Sequence, residues 1–128
     1  MIQYQTRGGT HAATRIRRVL EAMAGDLEAP VLDDVQLLTT ELVSNCVKHG
    51  DAGPHTEIQV GYSTPDGVAR VEVTGPGGGF DLEMPAWDPT MPGGFGLLIV
   101  DRVATRWGLS HDGCCVWFEV SRELALRR

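Results

Sequence analysis

Cysteine is scarce in this chain of 128 residues, and the three present, Cys46, Cys114 and Cys115, form neither an even disulfide framework nor a C-x-x-C pair with zinc spacing. A reducing compartment is the simplest expectation. No apolar run approaches the roughly 20 residues that a bilayer-spanning helix needs, the stretch Leu97 to Val100 falling far short. Met1 is followed by polar residues rather than an apolar signal core, which leads us to expect a cytoplasmic protein. Basic residues are a minority, 11 against 17 acidic for a net charge of −6, which argues against a nonspecific nucleic-acid or anionic-membrane binder. Internal repeats and low-complexity tracts are missing as well. What is left, 42% hydrophobic and 22% charged, fits one ordinary domain over residues 1–128, large enough to bury a core.

The stretch Leu37 to Gly50, LLTTELVSNCVKHG, carries the densest chemistry. On a helix Glu41, Asn45 and Lys48 fall within about 60° of one another, while Leu38, Leu42, Val43, Cys46 and Val47 cover the adjoining apolar arc. A carboxylate, an amide and an ammonium on one flank of a core-facing helix are costly to desolvate unless something polar meets them. A phosphate-bearing ligand with a metal ion is one candidate and a solvated face is the other. Two glycine-rich turns, GPGGGF at Gly75 to Phe80 and GGFG at Gly93 to Gly96, would let backbone N–H groups approach such a ligand.

Elsewhere the periodicity predicts a short strand at Met1 to Arg7, then an amphipathic helix from His11 to about Leu27, with Arg15, Arg17 and Arg18 mostly on its polar faces. Pro30 suits the first turn of a second helix that Gly50 closes. Strands Glu57 to Ser63 and Val68 to Thr74 flank the turn sequence TPDG and read as a hairpin. Asp81 to Pro92, with three prolines, reads as a loop. A third helix is predicted from Leu97 to about Trp107, entered through glycines in a way that suits anions, and a last hairpin from Leu109 to Asp112 and Cys114 to Ser121. Helices and hairpins in this order imply a two-layer α/β sandwich, a mixed and mostly antiparallel sheet covered on one face by helices.

E-x-x-x-N on a helix, a strand running into a Gly-rich loop, and a second Gly-rich loop opening a helix resemble the ATP-binding (Bergerat) domain shared by gyrase, the Hsp90 chaperones and histidine kinases. The compact bacterial form is the anti-sigma-factor serine kinase. The likeness runs from about Ala12 to Val120, and it implies ATP and Mg²⁺ as cofactors. It assigns Glu41 as the general base on the attacking hydroxyl or water and Asn45 as the Mg²⁺ ligand. Lys48 and His49 would lie near the phosphates, although His49 also fits a simple helix-terminal role. Gly93, Gly94, Gly96 and Leu97 would wrap the phosphates, and Gly75, Gly77, Gly79 and Cys114 would line the nucleotide. Its implied partners are a sigma factor and a small antagonist protein, with a homodimer as the implied assembly. In two places the pattern is broken: Gly75 stands where the family's D-x-G-x-G aspartate would read the adenine amine, and Cys114 stands where a threonine would assist it. Two other readings follow from those departures, a catalytically decayed, nucleotide-independent binding module of the same fold and an altered purine specificity.

Overall fold

A computed structural model describes residues 1–49, 56–75, 96–110 and 115–122, the side chains of 47–49, 96 and 97 excepted. Strand β1 (Ile2–Arg7) leads to helix α1 (Ala12–Met23) and helix α2 (Ala29–His49). Strands β2 (Glu57–Ser63) and β3 (Val68–Thr74) follow, then helix α3 (Gly96–Val103), β4 (Arg106–Leu109) and β5 (Cys115–Ser121). The sheet order is β1-β2-β3-β5-β4, and every pairing among the described strands is antiparallel. The two-layer α/β sandwich is therefore present, in its antiparallel form.

Alternation decides which face is buried. One row through the sheet carries Tyr4, Val60, Val73, Val116 and Leu109 across the strands, and the next carries Tyr62, Val71, Phe118 and Trp107. Val60, Val71, Val73, Val116 and Phe118 are fully buried, as are Ile16 and Leu20 of α1 and Val31, Val35, Leu38, Leu42 and Val43 of α2. Each such side chain contributes about 1.5–3 kcal/mol by leaving water. Gln36, nearly buried, is satisfied by donating Nε2–H to the Arg17 carbonyl at 2.9 Å, which fastens α1 to α2.

The turn between β2 and β3 places Asp66 and Gly67 at φ of 48° and 78°, the left-handed pair that matches a two-residue hairpin loop to strand twist. On the opposite sheet face, Glu119 accepts from Arg70 Nη1 at 3.0 Å and from Arg106 Nη2 at 2.9 Å, and both guanidiniums stack on Trp117, at 4.3 and 5.7 Å from its ring centre. The indole lies against Gly108, where a Cβ would come within 2.8 Å of it. Ion pairing and ring stacking in this cluster keep the sheet's outer surface ordered.

Three boundaries differ from the sequence reading. The first helix ends at Met23 rather than near Leu27: Ala24 N–H closes the last turn on Leu20, and Leu27 turns back to Ala24. The third helix stops at Val103, and Trp107 belongs to β4. Val103, Ala104 and Trp107 do fit helical spacing, but Thr105 N–H bonds the Glu119 carbonyl at 2.8 Å, and the sheet ladder takes over from there. The last hairpin accordingly begins at Arg106, not Leu109. The expected loop at 81–92 lies outside the described residues. Among the described residues no helix is long and apolar enough to cross a membrane.

Candidate functional site

Helix α2 organises the site because it touches both elements that adjoin the glycine turns. Its buried stripe packs on β3 and β5, and α3 packs against it as well. Strand β3 delivers the chain at Thr74 to Gly75, and α3 opens at Gly96. Glu41 and Asn45 stand one turn apart on α2, both half-buried, beside Thr40 and Ser44, which are half-buried too. Among the described residues neither Glu41 nor Asn45 has a hydrogen-bond or ion-pair partner. Two partly desolvated polar groups on one flank are what a polar ligand would satisfy.

Other expected site residues are brought near to differing degrees. Lys48 and His49 complete the last turn of α2, their side chains lying outside the described residues. Gly75 is described, half-buried directly after β3, and continues the alternation of Ala69, Val71 and Val73. Gly96 and Leu97 form the first turn of α3. Gly77, Gly79, Gly93, Gly94 and Cys114 lie outside the described residues. Cys46, next to Asn45, faces the core at 3% exposure, and burial pushes its thiol up to about 12, so it is a packing residue and no nucleophile. Sequence reasoning passed over Thr39, fully buried with its hydroxyl donating to the Val35 carbonyl at 2.7 Å. A threonine bonded to the carbonyl four residues back leaves no mark in a hydrophobic pattern.

Family comparison matches a model described as the histidine kinase-like ATPase domain to residues 9–120, most of the chain. The chain belongs to the histidine kinase-like ATPase domain family. Comparison with curated proteins gave no match. Histidine kinase-like ATPase domains bind ATP with Mg²⁺ as a family, so the donor set here can be tested against that pair. Among the described residues no three His, Cys, Asp or Glu side chains converge as a self-sufficient metal site. Mg²⁺ held together with phosphates needs only one or two protein oxygens, and the Asn45 carbonyl is a hard donor of that kind. The metal and triphosphate half therefore fits. The adenine half fits poorly, since Gly75 has no side chain to accept from an exocyclic amine.

Proposed function

We propose that this histidine kinase-like ATPase domain is an ATP-binding regulator of the anti-sigma-factor type, a protein serine kinase that phosphorylates a small antagonist protein and sequesters a sigma factor. The supporting observation is the Glu41 and Asn45 pair, without a partner among the described residues, on the helix that packs against both β3 and α3. Asn45 would hold Mg²⁺ through its carbonyl oxygen, and Lys48 and the Gly96 turn would meet the phosphates. Bound Mg²⁺ with the triphosphate supplies the charge neutralisation that phosphoryl transfer chiefly requires. Glu41 would accept the proton of the attacking serine hydroxyl.

Isothermal titration with Mg·ATP tests this reading. Saturable binding is expected, weakened at least tenfold in Asn45→Ala; silence at millimolar Mg·ATP rejects the kinase. A decayed binding module is then left, and Gly75 and Cys114 favour that second reading. Losing a hydrogen bond to a charged partner costs about 1.5–3 kcal/mol, which corresponds to roughly 10- to 150-fold in affinity. Restoring the carboxylate with Gly75→Asp should accordingly tighten ATP by about tenfold or more while leaving GTP behind. Equal affinities for ATP before and after the substitution would mean that residue 75 does not face the base.

A further inference from the structure

We propose that Asp26 is a two-position clasp at the hairpin end of the sheet, pairing with Arg122 in the resting fold and passing to the buried hydroxyl of Tyr62 when that arginine is drawn away. The proposal stands apart from the nucleotide site, since β3 runs from Val68 at this end to Thr74, and so to Gly75, at the other. Three distant segments meet here. Asp26 lies in the turn between α1 and α2, which Leu27 N–H closes on the Ala24 carbonyl at 3.0 Å. Arg122 follows β5, its N–H donating to the Gly67 carbonyl at 3.0 Å and its Nη2 to Asp26 Oδ2 at 3.1 Å. Tyr62 stands near the end of β2 in the buried row, paired with Ile2 on one side and Val71 on the other.

The phenol is what sets this meeting apart. Tyr62 is 4% exposed, and its hydroxyl has no hydrogen-bond partner among the described residues. A buried donor left in that state costs its full desolvation, and nearly all such groups in folded proteins are paired. Asp26 is the acceptor at hand: burial pushes the phenol up, Asp26 pushes it further the same way, and Arg122 pulls against both. The carboxylate therefore acts on the phenol while its own hydrogen bond goes to Arg122. The two claims on Asp26 are closely matched. An ion pair whose side chains keep 35% and 64% of their exposure gains little, because water screens it. A bond from a buried hydroxyl to a carboxylate gains more, but it requires Asp26 to turn away from Arg122. Taking Arg122 out of the competition thus transfers the α1–α2 turn from the end of β5 to the end of β2, an exchange between two discrete arrangements. It also sets a guanidinium free.

The test is a set of thermal melts on the full chain. Tyr62→Phe removes a hydroxyl that bonds nothing in the resting fold, so its Tm should equal or exceed that of the parent. Arg122→Met keeps the apolar stem and removes the donors. In that background Asp26 passes to the phenol, and Tyr62→Phe should now lower Tm by about 3 °C or more. With Asp26→Ala added, the same change should again cost nothing. Carbon-labelled tyrosine reads the hydrogen bond itself. The signal of the Tyr62 ring carbon that bears the hydroxyl should shift in Arg122→Met, and should move the same way in the unmutated chain as salt screens the ion pair. That salt series decides the matter if the variants melt too early to compare. An equal drop in Tm for Tyr62→Phe with and without Arg122 would mean that the hydroxyl already has a partner, and overturns the proposal. So does a Tyr62→Phe without effect in Arg122→Met, a loss that survives Asp26→Ala, or a tyrosine signal that neither the substitution nor salt moves.

Discussion

Glu41→Gln should lower Mg·ATP turnover, read as phosphate release or transfer to an antagonist, by roughly 10²- to 10⁴-fold, the range over which a positioned general base acts. The neutral amide keeps the size and hydrogen-bonding shape of the carboxylate but cannot accept a proton. Mg·ATP affinity should change by less than about threefold, since the metal assignment rests on Asn45 rather than Glu41. A large loss of affinity with turnover per bound nucleotide intact would make Glu41 a binding group. Unchanged turnover would remove it from the chemistry altogether, and a native chain with no turnover would return the protein to the decayed-module reading.

Phe118→Ala should be the most destabilising single truncation in the sheet. Phe118 is fully buried on β5, paired with Val71 of β3 on one side and Trp107 of β4 on the other. Removing its ring leaves a void that three packed strands can close only by breaking their registers. The expected cost is about 3–5 kcal/mol, with Phe118→Leu held to about 1.5 kcal/mol or less. Urea denaturation should show the midpoint falling with an unchanged slope. A loss below about 1 kcal/mol for the alanine variant would mean that the row through Val71, Phe118 and Trp107 does not carry the core.

Much of this fold was legible because its order is local. The alternation of Ile58, Val60 and Tyr62 and of Val71 and Val73 specifies β2 and β3 with their observed bounds, and the turn between them contains the Asp-Gly pair that needs positive φ. The end of α3 was not legible, because what stops it is a bond from Thr105 to Glu119, a residue from another strand. The same holds for the outer face, where Arg70 meets Glu119 across 49 positions of sequence. For the site, the four-residue spacing of Glu41 and Asn45 was enough to put them on one flank of α2. It could not say that both would be half-buried without a described partner, which depends on how α2 is seated between the sheet and α3.

The thiol of Cys46 turns that seating into a clock. It sits one residue from Asn45 on the core side of α2, so a thiol reagent can reach it only when the helix lifts from β3 and β5. In a chain carrying serine at positions 114 and 115, the labelling rate counts those openings directly. A nucleotide held by α2 should slow the count.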